Sequence, residues 1–260
     1  MSNDVEHNLT PLVVIPARMA SARLPGKPLA DIGGVPMIVH VMQRALAANV
    51  GPVVVACAET EIMEVVRASG GTAVMTDPDL PSGTDRVRAA AEIIDPKGTY
   101  NCVINVQGDL PTLDPLAVSA AVDVLAEVPA CDISTLVVAT EDPREIADPN
   151  VVKAVLTMET NKRGETDRRG RALYFTRASA PSGSGSVWHH VGIYAYRRSA
   201  LDKFCVLPPS PLEQREKLEQ LRALEAGMRM DAAVIDSEPH GVDTPEDLAR
   251  ARDIILGTKL

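Results

Sequence analysis

Three short apolar runs set the frame of the chain: LVVIP from Leu12, VVVAC from Val53 and CVINV from Cys102. They are rich in β-branched residues and carry no charge. Unbroken runs of this kind suit strands covered on both faces, as in a parallel sheet. Between the first two, Met37, Ile38, Val41, Met42, Ala45 and Leu46 recur at helical spacing. A second helix is predicted over residues 60–69, closed by the Gly70-Gly71 pair as a left-handed C-cap. A third is predicted from Gly83 to about Ile94. This β-α-β-α-β alternation predicts an α/β fold with an open, mostly parallel, doubly wound sheet. In such folds ligands bind beyond the carboxyl ends of the strands.

The middle of the chain is less regular. Residues 132–139 and 150–158 read as strands. The charged stretch NKRGETDRRGRA after residue 160 predicts a hairpin tip or surface loop. APSGSGSV, residues 180–187, predicts a mobile lid or a disordered loop. Ser210-Pro211-Leu212-Glu213 has the form of a capping box opening a helix, which Gly227 would end. A strand is predicted at 229–235, and Thr244-Pro245-Glu246-Asp247 repeats the capping pattern before a last helix. With no repeat or clear linker, residues 1–260 read as one domain carrying a small inserted antiparallel sheet region over about 140–200.

Composition narrows the class. Hydrophobic residues make up 45% of the 260, enough for a sizeable core, while aromatics are only 3%, so aliphatic side chains must fill it. A formal net charge of -9 argues against a broad nucleic-acid surface, though a local cationic cluster can still take a small anion. Cys57, Cys102, Cys131 and Cys205 lie far apart without CxxC spacing, which reads as reduced thiols in a cytoplasmic protein rather than a zinc site. No secretory signal or membrane span is legible.

Four segments carry candidate chemistry. The first runs from Pro16 and Ala17 through Arg18, Ser21, Arg23 and Lys27 to Leu29, directly after the first strand. Its backbone N–H groups and its cations are what a triphosphate needs; a basic surface loop is the competing reading. The second, Ser82-Gly83-Thr84-Asp85-Arg86, opens the third helix and offers N–H groups to an anion; a cap without a ligand is the alternative. The third, Asn105-Val106-Gln107-Gly108-Asp109-Leu110-Pro111, ends a strand and aims Asp109 at the expected crevice. Magnesium takes one or two carboxylates with phosphate oxygens and water; a turn aspartate is the bland reading. The fourth, Gly241-Val242-Asp243-Thr244-Pro245, supplies a second carboxylate that could equally cap the last helix.

Taken in this order, the four segments resemble the 3-deoxy-manno-octulosonate (KDO) cytidylyltransferases, or CMP-KDO synthetases. The runs ARMASARLPGKPL, WHHVGIYAYR and PPSPLEQREKLEQLR carry the resemblance, which extends from residue 12 to about 252. It implies a nucleotide-diphospho-sugar-transferase fold, usually a homodimer, that joins CTP to KDO for lipopolysaccharide biosynthesis and releases pyrophosphate. It also implies CTP contacts at Arg18, Ser21, Arg23 and Lys27, with Ser82, Gly83, Thr84 and Arg86 on the nucleotide side. Asp109 and Asp243 match the family's magnesium ligands. Gln107, His190, Tyr194, Glu219 and Gln220 match the sugar-acid pocket, and Arg177 is placed to meet the sugar carboxylate. Lys27 and Arg18 would stabilise the departing pyrophosphate. Two departures stand out: Leu110 where relatives often carry an acidic residue, and APSGSGSV where many carry a Trp-containing charged segment. Rival readings are transfer to an 8-amino KDO analogue or a sialic acid, and a non-catalytic nucleotide-binding regulator. A nicotinamide dehydrogenase is excluded because no GxGxxG follows the first strand.

Overall fold

The structure is a computed structural model and describes residues 9–21, 23–160 and 166–257. In chain order it runs β1 (Pro11–Ala17), a 3-10 turn (Lys27–Leu29), β2 (Asp31–Ile32), β3 (Val35–Pro36), α1 (Met37–Ala47), β4 (Val53–Cys57), α2 (Thr60–Ala68), β5 (Thr72–Met75), α3 (Gly83–Ile94) and β6 (Cys102–Asn105). It continues through α4 (Pro115–Glu127), β7 (Ile133–Thr140), α5 (Pro143–Ala147), β8 (Lys153–Thr160), β9 (Thr166–Thr176), β10 (Val187–Arg197), α6 (Arg198–Cys205), α7 (Pro211–Glu216), α8 (Leu221–Glu225), β11 (Met230–Val234) and α9 (Pro245–Leu256).

By its contacts the chain divides into two compact units, where the sequence predicts one domain with an insert. The first is built on Pro11–Thr99, Val103–Ser119 and the segment from Pro239 onward; the second on Tyr100–Cys102 and Ala120–Glu238.

In the first unit the strands take the order β5-β4-β1-β6, with β1 parallel to β4 and β4 parallel to β5. Leu12 to Ile15 and Val53 to Cys57 are buried, as runs covered on both faces must be. Helix α1 buries Met37, Ile38, Val39, Val41, Met42 and Ala45. Leu46, placed by its spacing on the same face, is instead exposed to 49%, because the buried stripe runs through Val39. Helix α2 is succeeded by Gly70 at φ +79, the left-handed cap expected there. A separate apolar cluster of Ile32, Met37, Val242, Leu248 and Ala251 fastens α9 to the β2–β3 corner.

The second unit is mixed. β11 runs parallel to β7, whereas β10 with β7, β11 with β9 and β8 with β9 are antiparallel. Trp188 and His189 of β10 also pair with Ala154 and Lys153 of β8, so the strand order β10-β7-β11-β9-β8 returns on itself. These antiparallel pairings involve strands from β7 to β11, a longer stretch than the insert predicted over 140–200. The charged stretch expected to be a loop is strand β9 from Thr166 on; its portion at residues 161–165 lies outside the described residues. Polar strand residues are satisfied on the surface: Arg168 pairs with Asp236 and Arg169 with Glu127.

The helix opened at Ser210 is also shorter than expected. Glu213 accepts from the Ser210 N–H at 2.9 Å, but α7 ends at Lys217, which is left-handed at φ +55. A separate helix α8 then precedes Gly227. The Glu213–Arg222 ion pair and the bond from the Leu212 N–H to Glu225 hold the two short helices together.

Candidate active site

β1 delivers the chain into the loop from Arg18 to Lys27, whose start is pinned by the Met19 N–H donating to Glu59 at 2.9 Å. The loop borders a cavity of about 430 Å³. Pro16, Ala17, Arg18, Ser21, Arg23 and Lys27 line one side. Ser82, Gly83 and Arg86 from the head of α3, and Gln107, Gly108, Asp109 and Asp243 from two further loops, line the rest. Every one of these residues belongs to the first unit.

The charged centre is compact. The Lys27 ammonium donates to Asp109 Oδ2 at 2.7 Å and to Asp243 Oδ1 at 2.9 Å. Those two distances bound the separation of the carboxylate oxygens at about 5.6 Å. Arg23 donates to the other oxygen of Asp243 at 2.8 Å. Lys27 is 16% exposed, Asp109 28% and Asp243 49%, so the pair opens toward solvent on the Asp243 side. Burial works against the Lys27 charge, but Asp109 and then Asp243 outweigh it and hold the ammonium above its usual pKa.

Local structure explains why two residues so distant in sequence converge. The Val242 N–H donates to the Asp109 carbonyl at 2.9 Å, clipping the two loops together, and Val242 itself is fully buried. Thr244 and Asp247 cap α9 reciprocally, with Asp247 accepting from the Thr244 N–H at 2.9 Å. That relieves Asp243 of the capping role it could have taken. Gly108 is required by space, since a Cβ there would lie 2.7 Å from the Pro16 carbonyl oxygen. Leu110 is buried, facing the chain near Gly241 rather than lining the cavity.

The other nucleotide-side residues divide. The Ser82 hydroxyl accepts the Asp85 N–H at 3.1 Å, a true N-cap. Thr84 is buried and does not line the cavity. Arg86 lines it, but its guanidinium donates to the Thr76 hydroxyl and to the Asp77 and Pro78 carbonyls. Burial, and after it the charge of Arg18, lowers its pKa.

The residues assigned to the sugar acid, Gln107 excepted, lie in the second unit. His190 sits on β10 with its ring 4.9 Å from Phe175 and 5.6 Å from Tyr194. The Thr135 hydroxyl lies 3.0 Å from His190 Nε2 and donates to the Ile193 carbonyl at 2.9 Å, which leaves it to accept a proton carried on Nε2. Burial, with a smaller push from His189, takes the His190 pKa down to about 3, so the ring is neutral. Burial and then the charge of Glu219 raise Tyr194. Gln220 is 6% exposed, and its Nε2 has no partner among the described residues. Arg177 donates through Nε to the Glu216 carbonyl and through Nη1 to the Pro149 carbonyl, both at 2.9 Å.

Three residues that matter here were not singled out by sequence. Glu59 carries no motif. Glu216 lies within PLEQREKLEQLR, but ahead of the Glu219-Gln220 pair that the resemblance marks. Lys153 could have been noticed as one cation in an apolar strand; it is fully buried and donates to the carbonyls of Asp148, Val151 and Arg177.

A cation-lined cavity at the carboxyl ends of parallel strands, with two carboxylates on one ammonium, suits a nucleotidyltransferase, and the chain belongs to the cytidylyltransferase family within that class, whose profile matches residues 12–230. Its curated relatives are narrower in name. They include the 3-deoxy-manno-octulosonate cytidylyltransferases of Parvibaculum lavamentivorans (60% identical, covering 93% of this chain and 91% of that one) and of Paramagnetospirillum magneticum (56%, covering 95% and 98%). Among solved structures, that of CMP:2-keto-3-deoxy-manno-octonic acid synthetase complexed with CTP is 39% identical, with a TM-score of 0.84, covering 96% of this chain and 100% of that one. A cytidylyltransferase from Leptospira borgpetersenii, 16% identical at a TM-score of 0.60 and covering 97% of this chain and 89% of that one, shares the fold.

Proposed function

We propose that the protein transfers the cytidylyl group of CTP to the anomeric hydroxyl of KDO, releasing pyrophosphate, with Mg²⁺ as cofactor. On the same reading it acts in lipopolysaccharide biosynthesis, as a homodimer in the cytoplasm. The carrying observation is the Lys27 ammonium held by Asp109 and Asp243 in a cation-lined cavity. The likeness to a CMP-KDO synthetase solved with CTP supports the choice of nucleotide and sugar. No helix among the described residues is long and apolar enough to cross a membrane.

The donor set suits the metal. Magnesium binds oxygens at about 2.0–2.1 Å and keeps most of its waters, so one or two carboxylates suffice. Asp109 and Asp243 present oxygens within about 5.6 Å of each other, and a small inward movement brings both within reach of one ion. When bound there, the metal would neutralise charge on the α-phosphate and acidify the attacking hydroxyl.

The chain's own residues do the rest. Arg18, Ser21 and Arg23, with the N–H groups of the loop, hold the triphosphate and fix its α-phosphorus for in-line attack. Lys27 turns from the two carboxylates to the β- and γ-phosphates, where it stabilises the negative charge that develops as pyrophosphate leaves. Gly108 lets the loop that carries Asp109 pack against the Pro16 carbonyl at the cavity wall.

The test is pyrophosphate release by the purified protein with magnesium, each nucleoside triphosphate in turn, and KDO, its 8-amino analogue or a sialic acid. Release confined to CTP and KDO is expected and must stop on chelation. Equal release from every triphosphate would contradict the cytosine assignment. Light scattering should give twice the chain mass of 27.7 kDa.

A further inference from the structure

Glu216, the last residue of α7, makes more bonds than a surface helix end needs. Its carboxylate accepts from the Thr176 hydroxyl at 2.9 Å on one oxygen and from the Arg177 backbone N–H at 2.9 Å on the other. The Tyr174 hydroxyl adds a longer contact at 3.4 Å. In return the Arg177 Nε donates to the Glu216 carbonyl at 2.9 Å. One residue therefore grips both the main chain and the guanidinium of Arg177. The Arg177 carbonyl is held in turn by the buried Lys153 ammonium at 2.8 Å.

The same residue anchors the start of a reversal. Directly after Glu216 the chain turns back through Lys217 at φ +55 and delivers Leu218, Glu219 and Gln220. The buried Gln220 amide has two donors and no partner for them among the described residues, a costly state unless a ligand or water completes it. On the Arg177 guanidinium, Nη2 has no protein partner among the described residues, leaving a charged donor for a carboxylate oxygen. Glu216 thus joins the segment that carries Arg177 to the turn that carries Gln220, through its carboxylate on the Arg177 main chain and its carbonyl on the guanidinium.

We infer that Glu216 is a positioning residue for the sugar acid, holding the Arg177 guanidinium and the Glu219–Gln220 turn in one frame. The inference rests on the reading of the protein as a KDO-activating enzyme. Glu216 acts through other groups, so its loss changes the sugar side of the reaction and leaves the nucleotide side alone.

The test compares Glu216→Ala and Glu216→Gln with the parent in steady-state kinetics, varying KDO and CTP separately, beside thermal melting. E216A is expected to raise KM for KDO about tenfold or more, the loss of a charge-assisted bond pair, with KM for CTP within about twofold. E216Q keeps an acceptor for the Arg177 N–H, and the Thr176 hydroxyl can turn to accept from the amide. Its KM for KDO should stay within about threefold of the parent. An unchanged KM for KDO in E216A overturns the inference. So does a parallel rise in both KM values with a collapsed melting temperature, which marks a merely structural role. If E216A does not fold, Thr176→Val removes one of the two short bonds and should raise only the KDO value, by about threefold; no rise overturns the inference. A parent that releases no pyrophosphate from CTP and KDO refutes the reading beneath and the inference with it. An active parent with a silent E216A refutes the inference alone.

Discussion

Lys27→Met is the most informative single change, because it removes a charge while keeping the stem's bulk. In the parent one ammonium lies 2.7 Å from Asp109 and 2.9 Å from Asp243. Without it, two carboxylates no more than about 5.6 Å apart face each other. The repulsion between them is common to both proteins; what the variant loses is the ammonium's attraction to each, and a partly screened ion pair contributes up to about 1 kcal/mol. Asp243 is 49% exposed and also paired with Arg23, so the two lost pairs together cost roughly 1–2 kcal/mol. A chain of this size loses about 2–4 °C of melting temperature per kcal/mol, which puts the expected drop at about 2–8 °C. Calorimetry at neutral pH reads it directly. Added Mg²⁺ should return much of the loss in the variant and do less for the parent, since the ion replaces the missing positive charge. Pyrophosphate release should fall about 10²-fold or more, the usual cost of one positioned donor to developing phosphate charge. A variant that melts with the parent and turns over within twofold of it would refute the reasoning. So would Mg²⁺ stabilising both proteins alike.

Other outcomes rest on the same geometry. Asp109→Asn should lower pyrophosphate release by about 10²-fold or more, read in the same assay at saturating magnesium. Gly108→Ala forces a Cβ to 2.7 Å from the Pro16 carbonyl, so it should cost about 1–3 kcal/mol in denaturant titration and raise KM for CTP. His190 carries a folded pKa near 3, below its ordinary 6.5, so its contribution to stability is complete above pH 6.5 and is lost as pH falls toward 3. The unfolded chain binds the extra proton in that window, so the parent should lose up to about 1.4 kcal/mol per pH unit relative to His190→Gln. Parallel acid-melting curves for the two would show that the ring is not buried neutral.

Much of the first unit could be read from residue order alone. Its helices obey the 3.6 period, its strands are uninterrupted apolar runs, and its helix ends carry recognisable caps, as at Ser82 and Thr244. The Arg18–Lys27 loop and Asp109 were legible because parallel strands must empty into a ligand crevice. The second unit was harder for physical reasons. β9 reads as a loop because its arginines meet acids brought by distant segments, and no local pattern records such partners. The reversal at Lys217 carries no glycine to announce it, so α7 and α8 read as one helix. Arg86 sits in a motif that invites an anion, yet burial turns its guanidinium onto the main chain. Lys153 acts on carbonyls, which every residue has, and Glu216 on an amide and on hydroxyls brought from a distant strand, so the letters around them give no sign of it.

The bond from the Val242 N–H to the Asp109 carbonyl has a bearing on biosynthesis. Lys27 and Asp243 are separated by 216 positions, yet they share a hydrogen bond. A growing polypeptide can build the parallel core early, but it then holds a lone ammonium and a single aspartate. The second acid is made long after the first, and docking of α9 is what brings it home. A nascent chain therefore lacks its complete charged centre until residues well past the sheet have been made, and a truncation ahead of Asp243 should leave Lys27 paired with Asp109 alone.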